Sequence, residues 1–406
     1  MRVGTPDVAA PEDAGAEIAS PRDMLRRFVQ GDLASLRVIL AIALIWIIFD
    51  LQNDRFLSAT NLTNLFLQIT AVGLISVGVV MALLIGEIDL SVGAVSGLAA
   101  AVMAVLNVKQ GWDPALAIAA GVATGAAIGL LQGLLFTRFR IPSFVVTLAG
   151  LLTWQGALLL VLGQTGTVNL SNSGVTDLAN TFYGPAVGWI FAAVAITAFA
   201  LVTLGGHRRR VAAGVTTEPL PLLLVRIAVV AVVAIVSIAV LNSDRGLPLA
   251  LLILLAFVIG FQVLATRTVF GRHLFAVGGN AEAARRAGIG VDRIRVIAFT
   301  LCSSMAAVGG ILAASRLLAV NQSSGGSNLL LEAIAGPVIA GTSLFGGRGS
   351  VWSALLGAVV IGSIANGMNL LALESSVKYM ITGGVLLAAV IVDAVARSRR
   401  QAEGRV

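Results

Sequence analysis

Residues 86–94 read GEIDLSVGA. The chain carries no formal charge from Leu65 to Gly86 in front of them, and none from Ser91 to Asn107 behind them. About 20 apolar residues are what a helix needs to cross the hydrocarbon core of a bilayer. The stretch is therefore a seam between two membrane spans, and it holds two carboxylates, Glu87 and Asp89. Placed two apart, they would point to different faces of one helix, so they suit a turn. Asp89 or Ser91 is placed to cap the next helix, whose first N–H groups otherwise lack partners.

The rest of the chain repeats this pattern. Of its 406 residues 58% are hydrophobic and 12% charged, against roughly 25% charged in a soluble domain. Mean hydropathy is +0.97. The 45 glycines agree, because glycine is more frequent in membrane helices than in soluble ones. Twelve candidate spans fall near 36–52, 63–86, 91–108, 113–136, 143–163, 186–205, 220–241, 246–266, 294–314, 330–346, 350–372 and 377–396, and some are short enough that the number ranges from ten to twelve. The expected fold is an all-α polytopic membrane domain over 35–396. Residues 1–34 read as a disordered tail, without periodicity and without the layout of a cleaved signal. Residues 397–406 form a second short tail.

Charge gives the orientation. With the N-terminus inside, the inner connections hold Arg138, Arg140, Arg208 to Arg210, the arginines between Arg267 and Arg295, and Arg348. The tails add Arg22, Arg26, Arg27 and Arg37, and Arg397, Arg399 and Arg400. The outer connections hold only Arg55, Lys109, Arg245, Arg316 and Lys378. This bias places both termini in the cytoplasm. It also explains the pI of about 10.8 better than nucleic-acid binding does. Cys302 is the only cysteine, and the two histidines, His207 and His273, sit beside arginines in polar connections, so no disulfide framework or metal site is expected.

Inside the spans, Gly121, Gly125, Gly129 and Gly133 form a stripe on one helix face, suited to close packing against a neighbour. Gln68, Gln132, Gln155, Asn366 and Asn369 are the polar side chains there, with Trp154 beside Gln155. They suit a sugar site or helix-to-helix hydrogen bonding, and the second reading leads for each one singly. Formal charges within the spans are fewer still, with Glu332 at the start of one span and Asp393 near the end of another. No Asp/Glu/His chain suits a proton relay, so energy for uphill transport must come from elsewhere. The long outer connection Gln164–Gly184 is either a docking surface for an outside partner or a solvated loop.

The longest inner connection, TVFGRHLFAVGGNAEAARRAGIGVDRIR (268–295), predicts a short helix outside the membrane. Asn280 is its N-cap, Glu282 sits in the first turn, Arg285 and Arg286 in the last, and Gly288 ends it. Two turns are too short to stand alone. The helix packs on its own domain or serves as a knob for a cytoplasmic protein.

GEIDLSVGA, RIPSFVVTLAG (140–150), FAVGGNAEAARRAGI (275–289) and AGTSLFGGRGSV (340–351) together resemble the permeases of bacterial ABC sugar importers, in the ribose/galactose/xylose branch. The resemblance runs from about Asn61 to Ala396. The extra pair of spans around GHRRRVAAGVTTEPLP (206–221) is most similar to the xylose members. It implies a multi-pass subunit of the bacterial plasma membrane, paired with a second copy, a cytoplasmic ABC ATPase and an extracytoplasmic sugar-binding protein. It implies a coupling segment at 268–293, whose knob comprises Gly279, Asn280, Glu282, Ala283, Ala284 and Gly288. It implies no cofactor in this chain, with ATP and Mg held by the ATPase, and no Walker motif occurs here. Family members usually carry two acidic residues entering the tenth span, where NLLLEAIAG (328–336) has Leu330 and Glu332 alone. Glu87, Asp89, Ser91 and Glu332 are the candidates for the path or its gate. For the seam itself, capping and lining an inner mouth both remain open.

Overall fold

The computed structural model describes residues 33–171, 173–215 and 217–402. The tail expected at 1–34 lies outside the described residues as far as residue 32, as do 403–406. The first half contains α1 (Leu33–Gln52), α2 (Ala59–Leu84), α3 (Val92–Ala104, prolonged by a π-helical turn Val105–Lys109), α4 (Pro114–Phe139) and α5 (Ser143–Leu162). Then come β1 (Thr167–Asn169), α6 (Ser173–Asn180), β2 (Phe182–Tyr183), α7 (Pro185–Ala212) and α8 (Leu220–Asn242). The second half contains β3 (Leu247–Pro248), α9 (Leu249–Arg267), α10 (Val269–Gly279), α11 (Ala281–Arg286), α12 (Val291–Leu317) and β4 (Ala319–Asn321). It ends with α13 (Ser327–Ile339), α14 (Trp352–Leu370) and α15 (Ser375–Ala402).

Among the described residues nine helices are long and apolar enough to cross a membrane: α2, α3 with its π turn, α4, α5, α7, α8, α9, α12 and α14. They fall on nine of the expected spans. The other three come out differently. The span expected at 330–346 is interrupted: α13 stops at Ile339, and the chain turns back through Gly341, Gly346, Gly347 and Gly349, all at positive φ. Hydropathy does not register that glycines can take this left-handed backbone where other residues cannot without strain. Over α1 the described apolar stretch is Val38–Gln52, shorter than a span needs. α15 continues to Ala402, beyond the expected end at 396. α7 likewise carries His207 and Arg208 to Arg210 on its last turns rather than in a loop.

The helical expectation has a second correction. The connection 164–184 is folded, not a plain solvated loop. β1 pairs antiparallel with β4, Val168 opposite Val320, and β2 pairs with β3. Val168, Val175, Ala179 and Val320 are buried. The Ser315 hydroxyl of α12 donates to the Thr176 carbonyl at 2.9 Å and accepts from the Ala179 N–H at 3.0 Å, which clamps α6 across the end of α12.

α12 is the hub, packed along α4, α2 and α3. Glycine makes this possible. The stripe Gly121, Gly125, Gly129 and Gly133 lies against Val296, Phe299, Ser303, Ala307 and Ile311 of α12. A methyl at Gly125 would stand 2.6 Å from the Ser303 carbonyl oxygen, so the backbones touch. On other faces, α12 sets Gly309 against Ile75 of α2 and Gly310 against Ser96 of α3. Cys302 is buried here as a packing residue. By contrast α7 and α8 pair mainly with each other and keep most of their length exposed.

Candidate functional site

A cleft of about 700 Å³ opens beside one end of α12. Gln68 of α2, Gln155 of α5, Arg316 of α12, Asn328 and Glu332 of α13 and Tyr379 of α15 line it. The floor is nearly bare backbone: Ser96, Gly97 and Ala100 of α3 face the turn Ser323–Gly326. The approach is close because Gly97 has no side chain, and a methyl there would strike the Ser324 carbonyl. The Gln155 amide donates to the Gln322 carbonyl at 3.1 Å, and its oxygen keeps its accepting capacity. Amides, one arginine, one carboxyl and a phenol offer donors and acceptors in mixed order, as a polyhydroxylated ligand requires.

The polar residues picked out from the sequence therefore divide. Gln68 and Gln155 face the cleft. Asn366 and Asn61 exchange two hydrogen bonds, at 2.8 and 3.1 Å, which tie α14 to α2. Asn369 accepts from Lys378 at 2.7 Å. Gln132 bonds Ser91 in the seam at 2.9 Å. Leu330, the departure from the family pattern, is buried against Gly93 of α3 and does not face the cleft. Arg316, Asn328 and Tyr379 were missed as site residues. For Asn328 the signal available was the polar run AVNQSSGGSN (319–328), which lies between two expected spans.

Glu87, Asp89 and Ser91 are not part of the cleft lining; Glu87 reaches Arg295 near the opposite end of α12, whereas Asp89 faces Ser303 near the middle of that helix. Gly86, at φ 77°, ends α2 beside Phe345 and Gly346. Asp89 is buried. One carboxylate oxygen accepts the Ser91 N–H at 2.8 Å and the Ser91 hydroxyl at 2.6 Å, and the other faces Ser303 of α12 at 3.5 Å. Asp89 thus holds the start of α3, while Ser91 at the N-cap position makes no capping bond of its own. Glu87 accepts from the Ser143 hydroxyl at 2.6 Å, at the start of α5, and pairs with Arg295 of α12 at 3.2 Å.

The same end carries α10 and α11. Asn280 accepts from the Ala283 N–H at 2.9 Å, and Glu282 pairs with Arg285 and Arg286. At the other terminus Gly288, at φ 83°, donates to the Arg285 carbonyl, and Ile289 donates to that of Ala284, both at 3.0 Å. These two bonds form a Schellman stop. Ala284 is buried on the protein's own core, whereas Glu282, Ala283, Arg285, Arg286 and Gly288 are exposed. Behind the helix three chain segments interlock through backbone. Gly278 lies against the Leu84 carbonyl and Gly347, and the Gly347 N–H donates to Leu84 at 3.0 Å.

A family model described as the permease component of branched-chain amino acid transport systems matches residues 61–390. The xylose transport system permease protein XylH of Escherichia coli K12 is 36% identical over 364 residues, 89% of this chain and 92% of that protein. XylH of Haemophilus influenzae is 35% identical over 359 residues, 88% of this chain and 95% of its own. The ribose import permease protein RbsC of Bacillus subtilis is 32% identical over 364 residues, 89% and 94% of the two chains. No solved structure matches the chain. A polar cleft at one end, a capped exposed helix at the other, and these full-length similarities agree: the chain belongs to this permease family, as a multi-pass, non-enzymatic subunit of a bacterial inner-membrane ABC importer.

Proposed function

We propose that this permease brings a monosaccharide, a pentose such as xylose, into the cytoplasm on ATP hydrolysed by a separate subunit. The observation that carries the reading is the division of labour along α12: a hydroxyl-matching cleft at one end and the α11 knob at the other. The chain crosses the membrane ten to twelve times, with crossings from among α1, α13 and α15 added to the nine long spans. Both termini lie in the cytoplasm, on the side of Arg208 to Arg210 and Arg348. The cleft then opens outward, towards a sugar-binding protein. α11 faces a cytoplasmic ATPase that holds ATP and Mg, and a second copy of the chain completes the pore.

Sugar hydroxyls exchange water for Gln68, Gln155, Asn328 and Glu332, and Arg316 and Tyr379 supply further donors. ATP-driven movement of α11 shifts α12, and the cleft changes sides. Coupling of this kind needs packed elements with two arrangements. The test is ATP hydrolysis by the purified permease–ATPase complex in the presence of sugar-loaded binding protein. Stimulation by xylose-loaded protein, weaker with ribose or galactose, is expected. Absence of stimulation by any monosaccharide overturns the sugar assignment.

A further inference from the structure

We infer that the Glu87–Arg295 ion pair is the latch that makes the seam follow α12, so that ATP hydrolysis moves the cleft wall and is not wasted. The inference rests on the ATP-driven reading above.

Arg295 stands in the second turn of α12, one residue after Ile294. Ile294 and Val291 share one apolar cluster with Ala284 of α11, so a push on the knob loads this turn of α12 directly. The Arg295 guanidinium lies 5.6 Å over the Phe136 ring and reaches Glu87 at 3.2 Å. Glu87 in turn holds Ser143, so one carboxylate joins α12, the start of α5 and the break between α2 and α3. Both side chains are mostly buried, 25% and 18% exposed, which strengthens the attraction over that of a surface pair.

Beyond the seam runs α3, whose Ser96, Gly97 and Ala100 form the cleft floor. α12 itself reaches the same cleft with Gly310, Ala314 and Arg316. The seam that precedes α3 is thus tied by Glu87 to the second turn of α12, and the two walls must move together for the cleft to change shape. A second tie exists where Ser303 faces Asp89, eight residues along α12 from Arg295, or about 12 Å at 1.5 Å per residue. At 3.5 Å it is a weak one, so Glu87–Arg295 is the stronger link. The Arg295 Nε is buried without an acceptor. The guanidinium thus has a donor to spare for a second arrangement of the same carboxylate. Glu87 and Arg295 act as positioning residues and touch no substrate.

The test uses the permease with its cognate ATPase and binding protein in proteoliposomes, comparing Glu87→Gln, Arg295→Gln, Arg295→Lys and the exchange Glu87→Arg with Arg295→Glu. ATP hydrolysis and labelled sugar uptake are measured on the same vesicles. Each glutamine variant is expected to keep hydrolysis within about twofold while uptake per ATP falls about tenfold. Arg295→Lys and the exchange are expected to recover most of that ratio. Uptake and hydrolysis falling together, an unchanged ratio, or no recovery in either rescue variant overturns the latch. Wild-type vesicles show separately whether ATP-driven import holds, so failure of the latch and failure of the transport reading are distinct results.

Discussion

The two ends of α12 are built to opposite rules. At the inner end backbone meets backbone: Gly278 lies on the Leu84 carbonyl, and Gly346 lies against Gly86. Glu87 and Asp89 also satisfy their oxygens on α3, α5 and α12. At the outer end Gly97 meets the Ser324 carbonyl, but around that contact polar side chains surround open space of about 700 Å³. The difference fits the proposed roles: an end that transmits force needs rigidity, and an end that exchanges water for ligand needs unspent hydrogen-bonding groups. The peripheral pair α7 and α8 follows neither rule, with exposed apolar faces suited to lipid.

The sharpest break of this contrast comes from two neighbouring glycines. Gly278→Leu would drive a side chain into the Leu84 carbonyl and the Gly347 N–H. Overpacking of this kind costs typically about 1–3 kcal/mol and more when backbone must move. The expected result is loss of the monodisperse peak in detergent size-exclusion chromatography. Gly279→Ala has nothing within 4 Å and is expected to leave that peak unchanged.

Next in size, Glu282→Lys puts a cation at the N-terminus of α11, beside Arg285 and Arg286, where the helix dipole disfavours it. Association with the ATPase is expected to weaken about tenfold, about 1.4 kcal/mol, with membrane insertion intact. Co-purification checks it; undiminished binding would remove α11 from the interface. At the outer end, Gln155→Ala removes one cleft group and should raise the half-saturating concentration for uptake up to about tenfold, leaving ATPase association unchanged. Smallest is Asp244→Asn. Partial burial, the largest single influence, pushes the Asp244 carboxyl up, but hydrogen bonds from Arg245, Thr60 and Thr63 and the charge of Arg245 together outweigh it and hold it below its usual value. Its stabilising contribution is therefore full above the unfolded pKa of 3.8 and is lost as pH falls through the lower folded value. The substitution should cost about 0.2–1 kcal/mol near neutral pH, read as a small drop in melting temperature that vanishes in acid.

What could be read from sequence was local. Nine spans follow from apolar length alone, and the Asn280 cap and Gly288 stop of α11 lie within nine residues of each other. The run 330–346 misled because Pro337 and the glycines that turn the chain back are apolar by composition. The fold of 164–184 depends on Val168 meeting Val320 and on Ser315, all distant in sequence. Gln155 and Gln132 look alike in sequence; only their neighbours make one a cleft group and the other part of the seam. Arg295 counted only as one more inner positive charge, because its partner Glu87 lies more than 200 residues away.

ATP-driven accumulation in proteoliposomes tests the central claim most directly. Vesicles holding the permease, its ATPase and ATP, supplied with the binding protein and labelled xylose, should concentrate the sugar above its outside level. Omission of ATP or of the ATPase should abolish it. Equilibration of the sugar by the permease alone, at the same rate with or without ATP, would contradict the account.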